Sequence, residues 1–248
     1  MLSDEALERY SRQILVPGFD IEGQSRLAAA DVALVGCGGL GCPLAMYLAA
    51  AGVGRLRLID DDRVEASNLP RQIAFSEANV GEPKAIALAA RIQAMNGAVA
   101  ATPVECRVEA GNAAAAVAGC SLVIDATDSH ATRCVIEDAT REQRIPWVMG
   151  AAIQMSGQWM AFSPDRAEGC YHCLAPETAE VEAGGCARLG VVGPVVGAVA
   201  MMQATTALML LVGESISWGR LSLYDFRRGE QQSLRLGPRV GCPACSAS

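Results

Sequence analysis

Short apolar runs that alternate with longer amphipathic stretches are the main pattern of this chain. Five runs have the length of buried strands, and they lie at 31–35, 56–59, 103–108, 121–126 and 147–150. Stretches with helical spacing follow several of them, up to Gly52 and at 79–95 and 130–143. This alternation predicts β-α units joined by right-handed crossovers, and therefore a mainly parallel sheet.

The pattern changes beyond residue 155. Three later runs, at 158–163, 220–226 and 232–236, have strand character and hairpin-type connections. An irregular loop at 174–192 and an almost wholly apolar stretch at 191–212 separate the first run from the other two. We expect these runs to add antiparallel strands to the sheet.

The first thirty residues form an arm before the first strand, with short helices predicted at 3–11 and 21–30. The predicted fold is α/β: a Rossmann-like, doubly wound, mainly parallel sheet extended by antiparallel C-terminal strands. No repeat or low-complexity linker divides the sequence, so we predict a single domain over 1–248. It comprises the helical arm (1–30), a nucleotide-binding half (31–150) and a C-terminal part (151–248).

Composition narrows the class of protein. The chain has 248 residues, 51% of them hydrophobic, and a net charge of −7, which argues against a general nucleic-acid binder or a protein of anionic membranes. The acidic N-terminus has no apolar signal core, so a cytoplasmic location is predicted. The stretch at 191–212 is long enough to span a membrane, but Gln203 and Gly193-Pro194 favour a buried helix, which would also suit a subunit interface.

A glycine-rich turn follows the first apolar run. It contains Gly36, Gly38, Gly39 and Gly41. Glycine permits positive φ and close backbone approach, so a phosphate can lie at the N-terminus of the next helix. The second run ends in the acid cluster Asp60 to Asp62, where a carboxylate commonly holds ribose hydroxyls. Together these features predict a nucleotide site, with Asp60 or Asp62 as the ribose ligand, but they do not identify the nucleotide.

Three further polar features lie where such folds place catalysis. The polar loop at 63–75 contains Asn68 and Arg71. Lys84 lies in the first turn of a predicted helix, where a cation is unfavourable unless an anion such as a polyphosphate binds there; a solvated surface lysine is the alternative. Asp128 follows the fourth run, at the carboxyl end of a central strand, where it can hold a metal–phosphate complex or cap the next helix.

Four of the ten cysteines are paired by spacing: Cys170 with Cys173, and Cys242 with Cys245. Four thiolates suit a closed structural zinc site that would attach the C-terminus to the domain. Two disulfides or an iron–sulfur cluster are the alternatives. The cysteines at 37, 42, 106, 120 and 134 are interpreted as small core residues, and His172 has no assigned role.

The order of these motifs along the chain resembles one family. The motifs are Arg-Tyr-Ser-Arg-Gln (9–13), Gly-Cys-Gly-Gly-Leu-Gly (36–41), Ile-Asp-Asp-Asp (59–62), Ser-Asn-Leu-Pro-Arg-Gln (67–72), Gly-Glu-Pro-Lys (81–84), Asp-Ala-Thr-Asp (125–128), Gly-Cys-Tyr-His-Cys (169–173) and Gly-Cys-Pro-Ala-Cys (241–245). Together they resemble the ThiF/MoeB/HesA family of sulfur-carrier adenylyltransferases, relatives of the ubiquitin-activating enzymes. The segment after Cys173 is most similar to the ThiF branch.

The resemblance implies a reaction and a set of roles. The C-terminal Gly-Gly carboxylate of a ubiquitin-like sulfur carrier attacks the α-phosphate of MgATP, releasing pyrophosphate, as a step toward a thiocarboxylate in thiamine biosynthesis. The implied roles are a phosphate cradle from the glycine loop, ribose binding by Asp60 or Asp62, phosphate contacts from Asn68, Arg71 and Lys84, and Mg²⁺ on Asp128. A separate desulfurase or rhodanese-type protein would donate sulfur.

The resemblance also implies roles for Arg12 and Cys186, which lie outside these motifs of the nucleotide site. Arg12 would reach into the site of a second subunit, which makes a homodimer part of the mechanism. Cys186 matches a family cysteine that can bond covalently to the carrier, although Glu180 and Glu182 disfavour a thiolate and a dispensable loop cysteine remains the alternative. Ser129 departs from the asparagine that the family usually has there.

Three competing interpretations remain at this point. A dinucleotide-dependent oxidoreductase would also use the glycine loop and Asp60, but it leaves Arg71 and Lys84 unexplained. A catalytically silent scaffold would keep the fold and lose the charged residues that this chain retains. The same reaction on the molybdopterin-synthase carrier, or on another carrier, is the third.

Overall fold

One eight-stranded sheet organises the computed structural model, which describes residues 2–175, 189–242 and 244–245. The strand order is β3-β2-β1-β4-β5-β6-β7-β8. The strands are β1 (Asp31–Val35), β2 (Arg55–Ile59), β3 (Ala100–Val104), β4 (Leu122–Asp125), β5 (Trp147–Ile153), β6 (Ser156–Phe162), β7 (Arg220–Asp225) and β8 (Glu230–Arg235). Strands β1 to β5 pair in parallel, and β6, β7 and β8 are added antiparallel. The predicted fold class is confirmed.

Helices cover both faces of this sheet. They are α1 (Asp4–Arg9), α2 (Ser11–Ile14), α3 (Ile21–Ala29), α4 (Gly41–Ala50), α5 (Lys84–Met95), α6 (Ala113–Val117), α7 (His130–Glu142), α8 (Tyr171–Leu174) and α9 (Gly193–Val212). Side chains alternate across a strand, so Val32 and Leu34 pack with α4, α5 and α9, while Ala33 and Val35 pack on the side of α6 and α7. Two apolar cores therefore enclose the sheet, as a doubly wound fold requires.

Several predicted boundaries differ from those observed. Helix α5 begins at Lys84 and not at 79, because a 3₁₀ turn at Glu77–Asn79 and Gly81, whose φ is +91°, interrupt the backbone first. Strand β3 lies at Ala100–Val104, so the prediction at 103–108 was displaced toward the C-terminus. Strand β5 continues to Ile153 because it pairs with β6 along its whole length.

Helix α9 is the apolar stretch that suggested a membrane span. By length and composition alone it could cross a membrane. In the fold, however, Val199, Ala200 and Ala207 are buried against the core, and the side-chain amide of Gln203 donates from Nε2 to the carbonyl oxygen of Asp125 at 2.8 Å. The prediction of a buried helix is confirmed for this side of α9.

Candidate active site

A cavity of about 930 Å³ opens at the carboxyl ends of the parallel strands. It lies where the strand order reverses between β1 and β4, the usual ligand position in this class of sheet. The predicted residues that line it are Gly36, Gly38, Gly39, Asp60, Asp62, Asn68, Arg71, Lys84 and Asp128. The fold therefore brings residues from five separate motifs together.

Two predicted site residues in the described part of the chain, Gly41 and Arg12, do not line this cavity. Gly41 forms the first turn of α4 and serves packing, since a Cβ there would lie 1.9 Å from the carbonyl oxygen of Gly36. Arg12 is exposed on α2, outside the cavity of its own chain. Cys186 lies outside the described residues.

The glycines of the loop have different reasons to be glycine. Gly36 has φ of +94°, and a Cβ there would lie 2.8 Å from the carbonyl oxygen of Ala126, so the fold itself requires it. Gly38 has no such constraint, because its Cβ would meet only the Gln72 amide nitrogen at 3.6 Å. Open space beside this backbone, just before the N-terminus of α4, fits the close approach of a phosphate.

Asp60 joins the glycine loop to the end of β2. Its Oδ2 accepts a hydrogen bond from the backbone N–H of Cys37 at 2.6 Å, and its Oδ1 accepts one from the N–H of Asp62 at 2.8 Å. Burial raises the pKa of Asp60, and these two donors partly oppose that shift. Each oxygen retains a second lone pair, so the carboxylate can still accept ribose hydroxyls.

Lys84 is buried and points its Nζ at Asp62 Oδ2, 2.7 Å away. The alternative of a solvated surface lysine is therefore wrong. A buried ammonium needs a charged partner, and the carboxylate of Asp62 is itself 60% exposed toward the cavity. An incoming phosphate could share the ammonium with it.

Arg71 and Asn68 come from the polar loop after β2. The Arg71 guanidinium donates to the carbonyl oxygen of Ser67 at 3.0 Å and has no acidic partner among the described residues. Asn68 is buried and holds its own 3₁₀ turn, since Oδ1 accepts from the N–H of Glu65 at 3.4 Å. Arg71 is thus a cation without a counterion in the cavity wall.

Asp128 is exposed in the cavity and has no hydrogen-bond or ion-pair partner in the described parts of the chain. The N-cap of α7 is Ser129, whose Oγ accepts from the N–H of Thr132 at 3.2 Å. The capping alternative for Asp128 is therefore wrong, and Ser129 performs that role. The Asp128 carboxylate faces the site as a ready acceptor or metal ligand.

Sequence reasoning missed the ion pair beneath this loop. Arg133 Nε lies 3.1 Å from Asp125 Oδ2, and its Nη2 donates to the carbonyl oxygens of Thr127 and Gly150. Both charged side chains are buried. The available signal was Asp125 at a strand end, followed eight residues later by an arginine in the amphipathic helix α7.

Arg133→Met should therefore destabilise the protein. The variant leaves the Asp125 carboxylate buried without its cation, a loss of about 3–5 kcal/mol. Urea denaturation followed by circular dichroism measures the free energy of unfolding. Arg91→Met, at an exposed position of α5, is the control and should stay near the parent; equal stability of the two variants would contradict this role.

Gln72 is a second residue that was missed. It is 3% exposed, it lines the cavity, and its Oε1 has no hydrogen-bond partner among the described residues. An unpaired buried acceptor costs about 1–3 kcal/mol, so a donor from a ligand would relieve that cost. The available sequence signal was its place directly after Arg71, as the last residue of the motif at 67–72.

The antiparallel strands form the far wall of the cavity. Gln158 of β6, Tyr224 of β7 and Gln232 of β8 line it opposite the glycine loop. The sequence predicted these strands but assigned them no part in the site. The antiparallel extension of the sheet therefore contributes polar side chains to the cavity wall.

The four paired cysteines converge on one point. Their Sγ atoms lie 3.7 Å apart for Cys170–Cys173, 3.6 Å for Cys170–Cys242, 3.5 Å for Cys173–Cys245 and 3.3 Å for Cys170–Cys245. A tetrahedron of thiolates at the usual Zn–S distance of about 2.3 Å has edges of about 3.8 Å. The donor set and its size therefore fit zinc.

The other cysteines differ among themselves. Cys37, Cys42 and Cys120 are buried, and burial raises the pKa of Cys42 to about 12 and of Cys120 to about 11. These three are core thiols, as predicted. Cys106 and Cys134 are half-buried and pack at the edge of the core beside α6 and α7, and Cys106 also lies in the cavity wall, so the core interpretation holds only in part for these two.

Known proteins match this chain over nearly its whole length. The ThiF family matches residues 10–244. The chain is 40% identical over 247 residues to sulfur carrier protein ThiS adenylyltransferase of Escherichia coli (strain K12), covering 100% of this chain and 98% of the relative. It is 39% identical over 246 residues to molybdopterin-synthase adenylyltransferase of Salmonella typhimurium (strain LT2), covering 98% of each.

The crystal structure of E. coli MccB with MccA-N7isoASN has the same fold. Its TM-score is 0.84 at 20% sequence identity, and the match covers 98% of this chain and 75% of that one. The Rossmann-like fold and the relatives named as adenylyltransferases together define the class of this protein as an adenylyltransferase. The chain belongs to the ThiF family. The resemblance drawn from the motifs and the predicted class of enzyme are both confirmed.

Proposed function

We propose that the protein adenylylates the C-terminal Gly-Gly carboxylate of a small ubiquitin-like sulfur carrier, with ATP as donor and pyrophosphate as product. The observation that carries this proposal is that Arg71, Lys84 and Asp128 line the same cavity as the glycine loop, where a Cβ at Gly38 would meet no atom closer than 3.6 Å. The adenylyltransferase names of both relatives support it. A dinucleotide-dependent oxidoreductase has no need of two cations beside the glycine loop.

The residues suit the chemistry of this reaction. A carboxylate is already a nucleophile, so no general base is needed, and the difficulty is to bring one anion to another. Arg71 and Lys84 neutralise phosphate charge, and the glycine loop with the N-terminus of α4 cradles the phosphate chain. Asn68 orients a phosphate from the cavity wall, and Asp60 or Asp62 holds the ribose.

Asp128 is the residue that would hold Mg²⁺. Its carboxylate is exposed in the cavity and engaged by no other described group, and carboxylate oxygens suit this hard cation. Bound there, Mg²⁺ would neutralise charge on the phosphates of ATP. The triplet Asp60 to Asp62 is a weaker candidate, because these carboxylates already bind backbone N–H groups, Arg107 and Lys84.

The cysteine cluster is proposed to hold a structural Zn²⁺. The buried Cys170 and Cys242 bring the C-terminal residues onto the segment before α8. Four thiolates leave no open coordination position, so the ion would stabilise the fold and take no part in the chemistry.

Arg12 is proposed to complete the site of a second copy in a homodimer. It is exposed on α2 and has no ion pair or hydrogen bond among the described residues. Exposed apolar side chains accompany it on the arm, with Leu15 at 74% and Ile21 at 57% exposure. Such a surface is suited to subunit contact. A cytoplasmic location is part of the same proposal.

We propose that the reaction belongs to thiamine biosynthesis, so that the carrier of that pathway is the first candidate substrate. The two relatives act on different carriers at 40% and 39% identity, so the molybdopterin-synthase carrier is the second candidate.

Cys186 is proposed to handle sulfur after adenylylation, with a separate desulfurase or rhodanese-type protein as donor. Cys186→Ala should retain adenylylation and slow thiocarboxylate formation; survival of both steps would make the cysteine incidental.

Pyrophosphate exchange tests the proposed function directly. The protein is incubated with ATP, Mg²⁺, labelled pyrophosphate and a purified carrier ending in Gly-Gly, and labelled ATP is measured. Exchange is expected with the intact carrier and is lost when its last glycine is removed. Comparison of a thiamine-type with a molybdopterin-type carrier identifies the substrate. No exchange with either carrier, together with tight NAD binding, would favour the oxidoreductase.

Gly38→Ala should weaken ATP binding while leaving the fold intact. The new methyl group has room in the free protein, so the melting temperature is expected to stay near that of the parent. It occupies the space that a phosphate needs, so affinity for a non-hydrolysable ATP analogue should fall at least about tenfold, a loss of about 1.4 kcal/mol. Isothermal titration calorimetry measures it; unchanged affinity would place the phosphates elsewhere.

A further inference from the structure

Helix α8, which begins inside the first cysteine pair, is fastened along α7. The Tyr171 hydroxyl lies 3.0 Å from His130 Nδ1, and the backbone N–H of Tyr171 donates to Glu137 Oε2 at 3.3 Å. His172 Nε2 lies 3.3 Å from Asp138 Oδ1. Three polar contacts therefore join the cysteine segment to α7, from its first residue to its third turn.

These contacts are anchored in the interior. Tyr171 and His172 are both buried, and the Tyr171 ring packs edge-on against Trp147 with centroids 5.6 Å apart. Glu137 is buried as well and pairs with Arg166 at 2.9 Å. Because the close-packed interior has little room to adjust, a displacement of Tyr171 is passed on to the residues of α7 that it contacts.

The N-terminus of α7 directly follows the loop that presents Asp128. His130 is the first residue of the helix, directly after its N-cap Ser129 and two residues after Asp128. One turn further, Arg133 binds the Asp125 carboxylate and the Thr127 carbonyl, on the other side of Asp128 in the chain. The loop that presents Asp128 is therefore held by α7 at both of its ends.

We propose that Tyr171 is a positioning residue: its hydroxyl bond to His130 joins the four-cysteine cluster through α7 to the Asp128 loop, so that closure of the cluster strengthens nucleotide binding. This inference rests on the proposed function, which places a nucleotide in the cavity. It gives His172, the histidine inside the first cysteine pair, a role as a second fastening point on α7. Coupling of this kind is reciprocal, so the nucleotide must also retain the cluster's metal.

Tyr171→Phe tests the link by removing one oxygen atom and no packing area. The affinity for a non-hydrolysable ATP analogue, measured by calorimetry on the metal-containing protein, should fall about 2- to 10-fold, the usual range for one intramolecular hydrogen bond. Metal content, measured in the same sample, should equal that of the parent. Tyr47→Phe removes the same atom from an exposed position on α4 and should bind as the parent does.

Removal of the metal supplies the second arm of the experiment. After treatment with a chelator, the parent should lose affinity for the analogue, and Tyr171→Phe should lose less, because its link is already broken. The analogue should slow metal release from the parent more than from Tyr171→Phe. Equal affinity of parent and Tyr171→Phe, with equal metal release, would overturn the proposal.

Failure of the proposed function would look different. In that case the parent itself would not bind the analogue, and hydrogen exchange of residues 126–133 decides the link instead. Faster exchange there in Tyr171→Phe than in Tyr47→Phe supports the positioning role. Identical exchange in the two variants rejects it.

Discussion

Asp128→Ala and Arg71→Ala should each reduce pyrophosphate exchange by about 10²- to 10³-fold, the usual cost of removing one group that stabilises charge in a transition state. Asp128 has no structural partner in the described chain, and Arg71 binds only the Ser67 carbonyl, so both variants should remain folded. Labelled ATP formed per minute, at saturating carrier, is the measurement. Near-parental exchange in either variant would remove that residue from the reaction.

Matched variants separate this effect from a general loss of charge. Arg91→Ala removes an exposed arginine from α5, and Glu142→Ala removes an exposed carboxylate from the far end of α7. Both should retain parental exchange. Asp128→Asn adds a further distinction, because it keeps the shape and loses the charge that binds Mg²⁺. Raising the Mg²⁺ concentration should partly restore exchange in Asp128→Asn but not in Arg71→Ala.

The sequence predicted the site well where spacing carries the information. Strands β1 and β4 are continuous apolar runs, and parallel topology then places the residues that follow them at one edge of the sheet. Gly38 after β1 and Asp128 after β4 therefore came together as expected, and Asp60 joined them from the end of the neighbouring parallel strand β2. The spacing within each Cys-x-x-Cys pair also indicated the cysteine cluster, although the two pairs are far apart in the chain.

Contacts between distant elements were beyond such reasoning. Lys84 looked like a helix-terminal lysine, and only the fold shows that it is buried against Asp62. Arg133 has the spacing of an ordinary surface position on an amphipathic helix, and its burial depends on how α7 packs over β4. The wall from β6 to β8 was missed for the same reason, since strand pairing fixes it and no local pattern does.

Boundary errors have a local physical origin. The helix predicted from 79 fails at Gly81, where a positive φ breaks the ladder, and restarts at Lys84 after Pro83. The alanine-rich pattern that suggested a helix lies at 85–94, and the residues before it, 79–83, contain Gly81 and Pro83 but no alanine. Apolar spacing alone therefore does not show where a backbone conformation excludes the helix.

Cys242→Ser should lose the bound metal and much of the thermal stability. Its Sγ lies 3.6 Å from that of Cys170, in a cluster whose four thiolates are all needed for a closed tetrahedral site. Metal content by mass spectrometry should fall from one zinc per chain to a small fraction. The melting temperature should fall by roughly 2–4 °C for each kcal/mol of stabilisation that the ion supplied.

Cys106→Ser is the matched control for this experiment. It replaces a half-buried thiol outside the cluster, so metal content should equal that of the parent. Full metal content in Cys242→Ser would contradict a four-thiolate site, and iron in place of zinc would favour a cluster cofactor. A stabilising role alone predicts that Cys242→Ser, assayed well below its melting temperature, binds the ATP analogue as the parent does. Weaker binding at that temperature is expected instead if Tyr171 couples the cysteine cluster to the Asp128 loop, because opening the cluster then releases α7.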